Sequence, residues 1–489
     1  MLRKVVWALL FVAVFLIYLK IPTDPDFGWH LRNGGVILDQ WRFPLADEYS
    51  HTMPGFKVAD SWWASEVFIV SLYRWGGYPP LVIAFTLLAT LALVISLSAG
   101  SGRRSMVSYT AAALAGAILS TPMVGVRPQV FSFFFVAVVW WWIRRYLRQP
   151  ARKFLLWLPP IFILWANLHA GFVIGLGLLG VVWFGEAVGF LSRRFWSEGP
   201  KIPSCLVKPR TLLEFLGGIL AAAAATLVNP YGSFLWRSVL LDAQSDLIKN
   251  NIQEWLAPNF HSDLGLFLLL FLLLVWLVVR RPHLALGFSE MLATLAFVLL
   301  AFSGVRHFPL LAVVAAPLIA QALTKLVAQP ICPFKKVPAG GIVGLFLGLF
   351  ILAWGGTSLP KVIAETSDWH KLTDAGGYPR EAVEWLKIHP PSGKLFNVYG
   401  WGGFLIWQLP EAKTFIDGRM CGWQTSDTNI FSSYLDITQM KPEMDEVLKK
   451  FEVGWALVGQ KEPLAQYFRV NPAWEVAYED DYAVVAIRR

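Results

Sequence analysis

Charge is scarce in this sequence. Only 15% of its 489 residues are Asp, Glu, Lys or Arg, where soluble proteins carry about 25%. That shortage excludes a soluble enzyme, a disordered chain, and a protein that grips nucleic acid through a basic surface. Cysteine is scarcer: three residues, none at a zinc-site spacing and too few for a disulfide scaffold. Internal repeats, low-complexity tracts and glycosylation sequons are also missing. Apolar residues are what the chain has, 56% of it, and they are gathered into long runs.

A helix that crosses a bilayer needs roughly 20 mostly apolar residues. About eleven runs qualify, near residues 5–21, 80–98, 106–123, 127–143, 154–169, 171–191, 211–228, 264–279, 287–304, 307–324 and 339–356. The first follows Leu2-Arg3-Lys4 without a small-x-small cleavage signal, so it reads as an uncleaved first helix. Basic residues set the orientation. With the N-terminus cytoplasmic, Arg103-Arg104, Arg144-Arg145, Arg148, Arg152-Lys153, Arg193-Arg194, Lys201, Lys208, Arg210, Arg280-Arg281, Lys325 and Lys335-Lys336 all fall on the cytoplasmic side. The net charge of +9 is thus mostly a rim that orients the protein. The assignment counts residues 106–143 as two helices; a single helix there would move the C-terminal segment into the cytoplasm.

The expected architecture is mainly α. A polytopic membrane domain of about eleven transmembrane helices spans residues 1–360, and a soluble α/β domain on the outer side spans residues 361–489. The latter should hold a helix at Pro379–His389 and strands at Lys394–Val398, Lys413–Ile416, Val453–Val458, Trp474–Tyr478 and Tyr482–Ile487. Cys205 and Cys332 fall in cytoplasmic connections and Cys421 stands alone outside, so no external disulfide is expected.

Glycine patterns read as packing. Gly175-Leu-Gly-Leu-Leu-Gly180 matches a dinucleotide fingerprint but lies inside an apolar helix, without the preceding strand or the acidic partner. Gly340, Gly344 and Gly348 recur every four residues, as on a helix-packing face.

Two outer segments are long, residues 22–79 and 229–263. The first opens Thr23-Asp-Pro-Asp-Phe-Gly-Trp-His-Leu-Arg-Asn-Gly-Gly. A helix over 26–40 would place Asp26, His30 and Asn33 on one face, with Phe27, Leu31 and Leu38 beside them. A carboxylate so placed can serve as a general base. Equally, the helix can be an interfacial amphipath that Asp26 merely caps. Other polar residues gather at the outer helix ends: Arg127, Asn167, His169, Asn229, Glu254, Arg306 and His307. Arginines there run against the positive-inside bias, which points to an anionic ligand, and phosphate suits Arg. Asp417-Gly-Arg419 reads first as a strand-end turn with its charges paired.

These features resemble the GT-C membrane glycosyltransferases. The resemblance extends to a group of bacterial members, through Asp24 to Gly34, Pro44 to Thr52, Trp165 to Phe172 with Ala166 inserted, Gly402 to Trp407, and Phe415 to Arg419. It covers nearly the whole chain. It implies a multi-pass protein of a bacterial inner membrane with its first loop and C-terminal domain in the periplasm. The donor would be a sugar on a polyprenyl phosphate, and the acceptor a glycan, lipid or protein. The acceptor hydroxyl would give its proton to Asp26, with Asp24 second, and attack with inversion. His30 would orient the base or contact phosphate. Arg306, Arg127, His169 and His307 would hold the donor phosphate, and Glu66, Asp47, Asn167 and Glu254 the sugars. The resemblance implies no cofactor, although Asp24, Asp26, His30 and Asp47 have the ligand chemistry of a divalent-cation site. Membrane lipids are expected partners and nucleic acid is not. The residues also admit a transporter or flippase of a lipid-linked or anionic substrate, though charge-free span centres speak against ion coupling. A non-catalytic scaffold with a partner-binding tail is the third reading.

Overall fold

The structure, a computed structural model, describes residues 2–489 except 101–104, 196–201, 203, 207, 280–286, 328–338 and 427. Arg103, Arg104, Lys201, Arg280, Arg281, Lys335, Lys336, Cys332 and the Gly340 side chain lie outside the described residues. The chain forms two compact units that interleave along the sequence. One comprises residues 1–20, 82–232 and 253–363, and the other residues 21–81, 233–252 and 364–489.

The first unit is helical. All eleven apolar runs carry helix, including separate helices at Met106–Ser120 and Gln129–Arg148. Among the described residues, six helices are long and apolar enough to cross a membrane: Tyr78–Ser98, Met106–Met123, Gln129–Arg148, Phe172–Phe195, Val305–Leu326 and Gly341–Thr366. Shorter apolar helices lie at Asp263–Leu277 and Phe288–Ser303. The chain is therefore a multi-pass membrane protein, and helices are the natural outcome because lipid offers backbone groups no other partner. Two charged side chains buried in this unit, Arg144 and Glu186, have hydrogen-bond partners. Arg144 Nε donates to Glu290 Oε1 at 2.7 Å. Glu186 accepts from Ser289 Oγ at 2.6 Å and from the backbone N–H groups of Cys205 and Leu206 at 2.7 and 2.9 Å. Gly175 lies against the Trp165 ring, where a Cβ would collide. The other glycine repeat is no tight seam: Gly344 faces Val6 at ordinary contact distance and Gly348 faces open space.

The second unit is built on a four-stranded sheet, β1 (Lys394–Asn397), β2 (Val453–Gly459), β3 (Trp474–Glu479) and β4 (Ala483–Arg488), ordered β1-β2-β4-β3. β1 runs parallel to β2 and the other pairings are antiparallel. Both faces are covered. Leu395, Trp455, Leu457 and Val485 pack with the Arg380–Ile388 and Gly402–Gln408 helices. Phe396, Ala456, Val458, Val484 and Ala486 pack on the opposite side with Ile430, Leu448 and Leu464. This period-two alternation, apolar on both faces, is what a doubly covered sheet requires.

Lys413–Ile416, expected as a strand, is not in the sheet. Its partner is the first loop instead: Thr414 N donates to Tyr49 O at 2.9 Å and His51 N to Thr414 O at 3.1 Å. Thr52 Oγ1 donates to Phe415 O at 2.7 Å, and Met53 enters the core beneath the sheet. The first loop and the C-terminal segment thus fold as one body. Glycines let them approach. A Cβ on Gly28 would strike the Gly403 carbonyl, and one on Gly403 the Pro25 carbonyl. Gly28→Ala is expected to cost about 1–3 kcal/mol through overpacking, read as a lowered Tm in thermal unfolding.

Candidate functional site

In the second unit, the first-loop helix Phe27–Gln40 begins at Asp26. Asp26 occupies the N-cap position but makes no side-chain cap hydrogen bond. Its Oδ1 accepts from Trp29 Nε1 at 3.1 Å, and its backbone N–H donates to Asp24 Oδ1 at 2.9 Å. Asp24 therefore shapes the turn that presents Asp26. Tyr378 supports the same turn, donating to Asp24 O at 2.9 Å. The Asp26 carboxylate lies over Gly418, where any Cβ would overlap Oδ1. Gly418 of the Asp-Gly-Arg turn is thus a glycine because Asp26 occupies the space above it.

The charges of that turn are paired, as expected. Arg419 donates to Asp417 Oδ2 at 2.7 Å and to Asp47 Oδ1 at 2.9 Å. Its guanidinium lies 4.9 Å from the Tyr49 ring centroid. Asp47 also accepts from Ser50 Oγ at 2.6 Å and Ser50 N at 2.9 Å. With no exposed side-chain area, it is an internal anchor for Arg419 and does not face a sugar.

His30 bonds to Glu66 Oε1 through Nδ1 at 2.9 Å, across the pair of loop helices Phe27–Gln40 and Trp63–Gly76. Glu66 is fully buried, so the sugar contact expected of it is not available. Asn33 and Asp60 hydrogen-bond it as well. Burial, the Asp60 charge and the Asp60 bond raise the Glu66 carboxyl well above its ordinary value. Burial likewise raises Asp60. Two carboxyl groups in such contact share a proton. Among the described residues no three His, Cys, Asp or Glu side chains are grouped to hold a metal ion.

In the first unit, residues far apart in sequence form a cationic cluster. Arg127 Nη2 donates to Glu254 Oε2 at 2.9 Å, and Arg306 Nη1 lies 3.8 Å from Glu254 Oε1. The Arg306 guanidinium stacks 4.0 Å from the Trp255 ring centroid. Burial would raise the Glu254 carboxyl, but Arg127 and Arg306 outweigh it and hold it below its usual value. Glu254 therefore positions the two arginines and stays charged. Lys20, just past the first helix, donates to Thr121 O and lies within electrostatic reach of Arg127. Burial and then the Arg127 charge lower its ammonium to about 8. Sequence reading missed Lys20 by placing it within the first apolar run. The signal was there: it is a lysine at the end of a span remote from Arg3 and Lys4.

His169 lies in the turn after the Leu158–Leu168 helix. Its Nδ1 accepts from Gly171 N at 2.9 Å and from Ser132 Oγ at 2.7 Å. Ser132 Oγ in turn accepts from Trp165 Nε1 at 2.7 Å. A Cβ on Gly171 would strike Ser132 Oγ. These contacts explain why Trp165, His169 and Gly171 occur together in the sequence. They also fix the tautomer: Nδ1 is an acceptor, so neutral His169 carries its proton on Nε2. Burial and the Arg306 and Arg127 charges lower the imidazole to about 3, so it is a neutral donor at physiological pH. His307 differs. Its Nδ1 donates to Leu300 O at 2.8 Å, so a neutral His307 has a lone pair on Nε2 and no second N–H for a phosphate. Asn167 ties the turn to its neighbour, donating from Nδ2 to Ile163 O and Val228 O, both at 2.8 Å.

No known protein-family profile matches the chain, and no curated protein matches it. Solved structures do. The chain is similar to the oligosaccharyltransferase AglB from Archaeoglobus fulgidus, solved with an inhibitory peptide and a dolichol-phosphate, with a TM-score of 0.58 at 11% identity over 96% of this chain and 70% of that one. It is also similar to ArnT from Cupriavidus metallidurans in the apo state, with a TM-score of 0.54 at 15% identity over 98% of this chain and 97% of that one. ArnT bound to undecaprenyl phosphate gives a TM-score of 0.50 at 13% identity over 99% and 97%. The fold is thus the one that these solved structures share.

Proposed function

We propose that this protein transfers a sugar from a polyprenyl-phosphate donor to an acceptor hydroxyl on the periplasmic face of a bacterial inner membrane. The observation that carries the reading is the cluster of Arg127, Arg306, Lys20 and neutral His169. Arg127 and Arg306 share one carboxylate, Glu254, and Lys20 adds positive charge within electrostatic reach of Arg127, so the group is short of negative charge, and a phosphate is the anion it receives best. The fold supports the choice of phosphate, since solved proteins that share it hold dolichol-phosphate and undecaprenyl phosphate.

Asp26 accepts the proton of the acceptor hydroxyl as its oxygen attacks the anomeric carbon. The carbon–oxygen bond to the phosphate breaks, and polyprenyl phosphate leaves with inversion. Arg306, Arg127 and the Nε2–H of His169 stabilise the charge gathering on the leaving phosphate, where preorganised donors give most. Asp24 holds the turn that presents the base. The mechanism assigns His30 no proton transfer; through Glu66 it locks the two loop helices together.

The test is release of polyprenyl phosphate from a polyprenyl-phosphate sugar by the purified protein, with its loss in variants of the cluster. A pH dependence follows from Lys20. Its ammonium is charged below about 8 and loses its proton as pH rises, so donor affinity should fall above that pH. Lys20→Met should flatten this limb, as measured by equilibrium binding of polyprenyl phosphate from pH 6.5 to 9.5, about 1.5 units either side.

A further inference from the structure

One cleft of the second unit adjoins the base through Trp29, whose Nε1 donates to Asp26 Oδ1, and has no assigned ligand. Trp29 and Trp62 of the first loop, Asp60 beside them, Asp242 of the Ser233–Gln244 helix, and Arg419 and Trp423 of the C-terminal segment line it. The Trp29 and Trp62 rings stand 5.3 Å apart at 57°, an angled pair of apolar faces rather than a closed stack. Trp423 is backed by Phe56, stacked at 4.8 Å, which fixes its plane.

The polar groups of the cleft are unevenly satisfied. Trp62 Nε1 and Asp60 Oδ2 are buried, and among the described residues neither has a donor–acceptor partner beyond the proton shared between Asp60 and Glu66. A buried indole N–H left without an acceptor costs free energy that a bound oxygen would recover. The charge balance is equally informative. Arg419 is the cationic residue of the lining, and Asp417 and Asp47 already match it twice over. Asp60 and Asp242 add negative charge, so the cleft as a whole repels anions. Flat aromatic faces, carboxylates that accept from hydroxyl groups, and a free N–H donor are together the requirements of a sugar ring.

We propose that this cleft is a saccharide subsite for the acceptor, taking a neutral or amino-bearing sugar and rejecting acidic ones. Its role as an acceptor subsite rests on the transfer reading above, whereas its affinity for saccharide does not. The cleft is thus chemically opposite to the cationic cluster. One takes the phosphate of the donor, and the other takes hydroxyl-rich, uncharged or cationic rings.

The test uses full-length protein in detergent, without donor, on an array of immobilised neutral, amino-bearing and uronic-acid glycans. Binding of polyprenyl phosphate is measured in parallel. Glycan binding should be confined to the neutral and amino-bearing classes. Trp62→Phe, which keeps the ring and deletes the N–H, and Asp242→Asn should each weaken it about tenfold or more, one good hydrogen bond's worth. Both variants should hold polyprenyl phosphate as the wild type does, which also shows that they are folded. Binding to uronic-acid glycans, binding to no glycan, or undiminished binding in both variants would overturn the assignment. Failure of polyprenyl-phosphate binding alone would instead count against the transfer reading.

Discussion

Asp26→Asn is expected to lower sugar transfer by about 100- to 10,000-fold, the range that a positioned general base contributes, while donor affinity stays unchanged. The amide keeps the shape and can still accept from Trp29 Nε1, which the carboxylate does at 3.1 Å, so the turn should persist. What disappears is the capacity to take a proton. Asp24→Asn should be milder, because its amide oxygen can still accept the Asp26 N–H that Asp24 Oδ1 now holds at 2.9 Å. Gly418→Ala offers an independent check. Its methyl group would displace the Asp26 carboxylate without removing any charge, so kcat should fall with little change in donor KM. Turnover of a labelled polyprenyl-phosphate sugar measures all three.

The second large effect is expected at Arg306. Arg306→Ala should lower kcat/KM about 100- to 1,000-fold, the loss seen when one preorganised donor to a developing charge is removed. It would also leave Glu254, 3.8 Å away, with Arg127 as its remaining arginine and shift the cluster toward neutrality. Arg306→Lys keeps the charge but loses the flat stack 4.0 Å from the Trp255 ring centroid, so it should recover only part of the activity. Initial rates over a range of donor concentrations separate binding from the chemical step.

Sequence patterning carried the fold a long way because most of its signals are local. Eleven apolar runs became helices, the loop helix after Asp26 begins at Phe27, and strands rich in Val, Ala and Trp formed the sheet. Lys413–Ile416 failed because its pairing is not local. Thr414 exchanges backbone hydrogen bonds with Tyr49 and His51, more than 350 residues away, and no periodicity encodes such a partner. The union of residues 21–81 and 233–252 with the C-terminal segment was hidden for the same reason.

The candidate site was legible by residue type and less so by role. Unusual arginines outside the basic rim led to Arg127 and Arg306, and the Trp165 to Gly171 motif led to His169. Glu66 and Asp47 read as polar loop residues, yet both are buried partners of other ionisable groups, His30 and Asp60 for one and Arg419 for the other. Burial depends on which elements meet, and spacing within one element does not reveal it. His307 and His169 look alike in sequence, whereas opposite hydrogen bonds at Nδ1 give them opposite tautomers.

The most direct measurement follows the fate of the sugar. Purified protein in liposomes is given a polyprenyl-phosphate sugar labelled in the sugar, with acceptor extract, and the label and its anomeric configuration are traced. The account predicts that the label leaves the lipid for the acceptor with inverted configuration, polyprenyl phosphate accumulates, and the Asp24→Asn, Asp26→Asn double variant does neither. Label that stays on the lipid while crossing between leaflets, or transfer that persists undiminished in the double variant, would contradict it.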